Sequence, residues 1–156
     1  RMSASTARMT FLAFAAVMGA SLSTVLLRYT GASVTQTFFV TAAAFGGLSL
    51  YGYTTQRSLS GMGSFLMMGV IGLVIASLVN IFLASSALQF AISAIGVLIF
   101  AGLTAYDTQK LKEMYLYGDY DAETAAKASV FGALTLYLDF INMFQFLLAF
   151  MGNRNE

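Results

Sequence analysis

The chain has 156 residues, 58% of them hydrophobic and 10% charged, with a mean hydropathy of +0.77 and a net charge of +1. Soluble domains carry about a quarter charged residues, so this is the composition of an integral membrane protein. There is no Cys and no His, which excludes disulfides, ordinary zinc sites and any His- or Cys-based catalysis, and no basic cluster gives nucleic acid a foothold.

The chain opens on Arg1, with no signal-peptide pattern before the first apolar run, and is expected to be a fragment whose natural start lies upstream. Five apolar segments follow, over 10–27, 35–53, 64–83, 88–106 and 129–151. Each is near the ~20 residues that carry a helix across ~30 Å of hydrocarbon. Lipid offers no partner to backbone polar groups, and the alternation of a barrel strand is missing, so the fold class is all-α: one domain, a polytopic transmembrane helix bundle of five spans.

Proline is absent, and several glycines fall at small-xxx-small spacing: Ala15, Gly19 and Ser23; Ala42 and Gly46; Ala43 and Gly47; Gly72 and Ala76. Such stripes let helix backbones approach closely. They are therefore expected to face neighbouring helices, with Gly72→Leu more disruptive than Leu73→Ala. The connections 28–34, 54–63 and 84–87 are brief. Only 108–128 offers a substantial water-exposed segment, with three lysines and four acids, and its 121–127 part is expected to form a short surface helix.

With the N-terminus inside, the inner segments carry Arg1, Arg8, Arg57, Lys110, Lys112 and Lys127, and the outer ones only Arg28 and Arg154. That asymmetry predicts a cytoplasmic N-terminus and an external C-terminus.

The informative chemistry sits in the last two spans. The stretch 134–150, LTLYLDFINMFQFLLAF, holds Asp139 near its middle, and Thr135, Asp139 and Asn142 share one helical face. An ionisable group at that depth is a functional-site hypothesis by default. The second acid is Asp107, in GLTAYDTQKLK over 102–112 at the inner end of the fourth span. A solvated interfacial Asp107 and a purely structural Asp139 are the plainer alternatives.

Two carboxylates facing one another across a helix pair titrate as a coupled unit that shares a proton, and losing it turns a hydrogen bond into a repulsion. Ionised, they are hard oxygen ligands of the kind Ca²⁺ takes, with Asn142, Thr135 and Asn80 as supporting polar candidates. Counting residues into each span sets the two aspartates at depths differing by ~9 Å, a gap that tilt or shifted boundaries must close.

AYDTQKLK followed by LTLYLDFINMF resembles the C-terminal signature of the Bax inhibitor (transmembrane Bax-inhibitor-motif) family, and YTGASVTQTFFVTAAAFGGLSLYGYTTQRSLSGMG, over 29–63, is similar to its bacterial branch. The resemblance implies a seven-helix protein of the bacterial inner membrane acting as a pH-sensitive calcium leak. Its di-aspartyl sensor matches Asp107 and Asp139, and no bound cofactor is needed, calcium being the transported species. The chain departs from that pattern by lacking the first two spans, and with them the family's intramembrane arginine.

Three functions compete. The leading one is a proton-regulated cation pathway for Ca²⁺ at Asp107 and Asp139. The alternative is a regulator that binds another membrane protein, such as a quality-control protease, through the loop EMYLYGDYD. The third, an intramembrane aspartyl protease, fits poorly because YDTQ and LYLD lack a glycine after the aspartate, so no enzyme is expected.

Overall fold

A computed structural model describes residues 3–56, 58–118 and 121–152. They form five helices: α1, Ala4–Leu26; α2, Gly31–Thr54; α3, Met62–Leu83; α4, Ser86–Tyr117; and α5, Ala122–Met151. All five are long and apolar enough to cross a membrane, as the composition requires.

Their starts are written locally. Ser3, Thr30, Ser85 and Asp121 each sit in extended backbone, and each side chain accepts from the N–H three residues on (Thr6, Ser33, Leu88 and Thr124). The α3–α4 turn is two residues long. Ala84 takes a left-handed conformation at φ 49° to close it, and Asn80 staples it by accepting from the Ser85 N–H at 3.0 Å.

The fourth and fifth helices extend well beyond the expected spans. Nothing in 106–117 breaks a helix before Gly118, so the lysines and acids there remain helical. The separate surface helix expected over 121–127 is instead the start of α5: Asp121 caps it, and Ala122, Ala125 and Ala126 are strong helix formers.

Consecutive helices run antiparallel, and α4 is the hub, packed against α2, α3 and α5. α1 runs alongside α5, with the Glu123 carboxylate accepting from the Ala4 N–H at 2.5 Å and Phe11 edge-on to Tyr137. The described basic residues divide as the charge count expects: Arg8, Lys110, Lys112 and Lys127 lie toward one end of the bundle and Arg28 at the other. Arg1, Arg57 and Arg154 fall outside the described residues.

The glycines of the expected small-residue stripes do not mediate the packing. An added Cβ at Gly19, Gly46, Gly47 or Gly72 would meet nothing within 4 Å, whereas Leu73 is 7% exposed in the core. The expected ranking of Gly72→Leu over Leu73→Ala is therefore reversed. Spacing marks a smooth face but not which way it points. Close approach occurs at other glycines. A Cβ on Gly52 would collide with the Ala105 carbonyl, one on Gly63 with Tyr106, and one on Gly96 with the Phe146 ring.

Candidate functional site

Four successive residues on a helix point about 100° apart and so sweep its circumference. On the hub helix α4 that makes YDTQ a four-way junction. Tyr106 packs over Gly63 of α3. Asp107 turns toward α5. Thr108 donates to the Thr104 carbonyl at 2.7 Å and lies 3.3 Å from Ser49 Oγ of α2. Gln109, 7% exposed, accepts the Leu59 N–H at 2.7 Å, which ties down the chain between α2 and α3.

One turn further, Lys112 Nζ donates to the Tyr53 carbonyl at 2.6 Å and lies 5.0 Å from the centre of the Tyr53 ring. A cation there meets the carbonyl end of α2, where the helix dipole favours it. Sequence reading missed this contact, because its signal (a lysine in one span, an aromatic at the end of another) has no local pattern.

Asp139 is 4% exposed at the centre of α5, and the Asp107 carboxyl lies beside it, close enough for a side-chain hydrogen bond. The expected depth gap closes because α5 overhangs α4. Leu111 nests where Gly132 has no side chain, and Phe100 stacks on Phe146 at 5.9 Å. That register sets residue 107 opposite 136–139 and leaves the first turn of α5 beyond the end of α4. A cleft of about 500 Å³, lined by Leu111, Met114, Ala125, Ser129 and Gly132, flanks the overhang.

Asp139 Oδ2 is buried without a hydrogen-bond partner. Next in sequence, the Phe140 ring packs edge-on against Phe38 and Phe45 of α2, at 5.8 and 5.3 Å. The supporting polar candidates separate. Asn142 Nδ2 is tied to the Leu138 carbonyl at 2.8 Å, and Thr135 donates to the Phe131 carbonyl at 3.0 Å, so both keep to their own helix. Asn80 is at the α3–α4 turn, away from the aspartates. Instead, buried hydroxyls that the sequence reading passed over share the interior: Thr37 and Thr41 of α2, and Ser93 and Thr104 of α4.

Chemically, the arrangement offers two adjacent carboxyl groups, one of them buried. Two adjacent carboxyl groups can share a proton or, when ionised, present negative charge to a cation. No cluster of three or more His, Cys, Asp or Glu occurs among the described residues, so a divalent ion here must draw its remaining ligands from hydroxyl, amide or carbonyl oxygens.

The whole chain, residues 1–156, matches the family model described as "Inhibitor of apoptosis-promoting Bax1". It is 54% identical over 155 residues to the inner membrane protein YbhL of Escherichia coli, covering 99% of this chain and 66% of that protein. An uncharacterised protein of Caulobacter vibrioides is 64% identical over 140 residues, 90% of this chain and 56% of its own length. RP147 of Rickettsia prowazekii is 53% identical over 156 residues, 100% of this chain and 66% of that one. The chain thus spans just under two thirds, or less, of the length of these relatives. With five membrane-spanning helices and a match along its full length, the chain belongs to the Bax inhibitor family as a multi-pass protein of the bacterial inner membrane.

Proposed function

We propose that the chain forms the core of a proton-regulated cation pathway, with calcium as cargo and the Asp107–Asp139 pair as its sensor. The observation that supports this reading is the juxtaposition itself: two carboxyl groups from different helices, one of them 4% exposed, lie side by side in the most extensively packed helix pair. Side-by-side carboxyls are attractive only while a proton sits between them. With the proton present the α4–α5 contact is closed by a hydrogen bond, and with it gone two negative charges push the helices apart and attract a hard cation.

Calcium influx into dye-loaded vesicles across a pH series tests this on the full-length protein. Flux rises as pH rises through the pair's titration. Asp139→Asn keeps the shape and removes one ionisable partner, so it flattens the profile, and Asp107→Asn does the same. The double variant is no flatter than either single one, because the pair titrates as one unit. An unaltered profile in both single variants refutes the sensor.

A second reading, docking of another membrane protein, draws on Tyr115 and Leu116, which are 85% and 51% exposed at the end of α4. Co-purification of one defined membrane partner, lost on Tyr115→Ser, would favour it.

A further inference from the structure

Serine and threonine hydroxyls inside apolar helices usually donate to the carbonyl one turn back, which satisfies their proton without a tertiary partner. Thr10, Thr41, Thr54, Thr104, Thr108 and Thr135 all do so. Thr37 does not. Its side chain is 1% exposed, and its Oγ1 is buried without a hydrogen-bond partner.

An unpaired hydroxyl at that depth is a net cost if it serves only as packing. Its neighbour Thr41, 0% exposed, gives its proton to the Thr37 carbonyl at 2.7 Å, so its oxygen has only lone pairs left to offer. Thr104 is committed in the same way to the Phe100 carbonyl at 2.8 Å.

Phe140, the neighbour of Asp139, rests on Phe38 and Phe45, one turn to either side of Thr41, so its ring meets α2 at the level of these hydroxyls. In the other direction a chain of side chains leads outward. The contacts Gly52–Ala105 and Ser49–Thr108 pair the parallel helices α2 and α4 at an offset of 53 to 59 residues. The same offset carries Thr37 to the level of 90–96, where Ser93 is 1% exposed. Ser93 Oγ accepts from Gln89 Nε2 at 3.3 Å, and Gln89 Oε1 accepts from Asn80 Nδ2 at 3.4 Å, at the α3–α4 turn. Buried side-chain polarity thus recurs from the Ala84 end of the bundle toward the Asp107–Asp139 pair, through Ser93 and Thr104 of α4 and Thr37 and Thr41 of α2.

We propose that this thread, Asn80–Gln89–Ser93–Thr37–Thr41, is the limb by which a partly dehydrated hard cation passes between the Ala84 end and Asp139, with the Thr37 hydroxyl as its ligand at the deepest uncharged step. Neutral oxygens without a fixed positive charge suit cations and repel anions. The proposal rests on the cation-pathway reading for its cargo, but the route has a readout of its own.

The test uses the full-length protein in vesicles of phosphatidylethanolamine and phosphatidylglycerol, with calcium as the probe ion. Thr37→Val keeps the shape and removes the oxygen. Calcium flux falls by about tenfold, the effect of losing one buried ligand, while Thr37→Ser stays close to the parent. Equal flux in Thr37→Val overturns the thread, as does equal loss in a Thr37→Ser variant that melts at the parent temperature.

Independently, Thr37→Cys in this Cys-free chain reacts with a cationic methanethiosulfonate added from the Ala84 side and not with an anionic one, whereas Phe39→Cys, on the exposed face, stays unlabelled. An unlabelled Cys at position 37 overturns the thread. If the parent protein passes no calcium, the pathway reading fails by itself, and the labelling result alone then decides whether the thread is a route for cations.

Discussion

The two helices joined at the Ala84–Ser85 turn, α3 and α4, are covalent neighbours with opposite surroundings. α3 is the most apolar of the five and yet exposes Phe65, Met68, Ile81 and Phe82 at 68–87%, packing chiefly against α4. α4 is less apolar, buries Ser93, Thr104 and Gln109, and touches three helices. In water that ranking would be inverted. In a bilayer, lipid tails receive leucine as readily as a protein core does, so hydrophobicity does not sort helices inward. Polar side chains do, because only protein can satisfy them.

The sharpest way to break this contrast is to place the same bulk on glycines of each kind. Gly52→Leu drives a side chain into the Ala105 backbone at the α2–α4 contact and costs about 3 kcal/mol or more, or prevents assembly. Gly72→Leu on α3 leaves the melting temperature in detergent unchanged, because nothing lies within 4 Å. Equal losses would mean that α3 is covered.

Next in size is Leu73→Ala, which opens a cavity against the core that includes Ile92 and Phe100 and costs about 2–3 kcal/mol by reversible unfolding in mixed micelles. A smaller loss follows Lys112→Met. It removes the cation from the carbonyl end of α2 and costs about 1 kcal/mol, with most of the deficit restored by Lys112→Arg.

The smallest effect is on an exposed loop. The Thr124 hydroxyl, then its N–H, holds the Asp121 carboxyl below its ordinary value of 3.8. A depressed acid stabilises the fold above that value and loses its contribution as pH falls through the lower, folded one. Asp121→Asn keeps the cap but removes the charge, so it lowers the melting temperature slightly near neutrality and matches the parent at a pH below the folded value, flattening the acid limb of the profile.

How much of this was legible in the sequence follows from the same physics. Five spans were plain, because backbone satisfaction in lipid leaves few options for runs of that length. Asp107 and Asp139 stood out because an acid in an apolar run has no cheap explanation. Their pairing was expected through the family resemblance, but how the depth gap closes was not legible, since it depends on α5 overhanging α4, which Leu111 and Gly132 set across a gap in sequence. Helix ends were misjudged where hydropathy fell but propensity did not: 107–117 and 122–128 are polar and still helical. Thr37 was invisible, because a threonine in a membrane helix is ordinary until its hydroxyl is found without the usual bond.

The four-way junction at YDTQ has a mechanical consequence. Turning α4 about its own axis would unseat Tyr106 from α3, Thr108 from α2, Gln109 from the 54–61 connection and Asp107 from α5 together, so this helix behaves as a fixed axle. α5 is held to it largely by smooth contacts, a leucine over a glycine and ring on ring, which tolerate sliding. Relative motion within the bundle therefore belongs to α5. Spin labels paired between α2 and α4 keep one separation across conditions, and those paired between α4 and α5 report two.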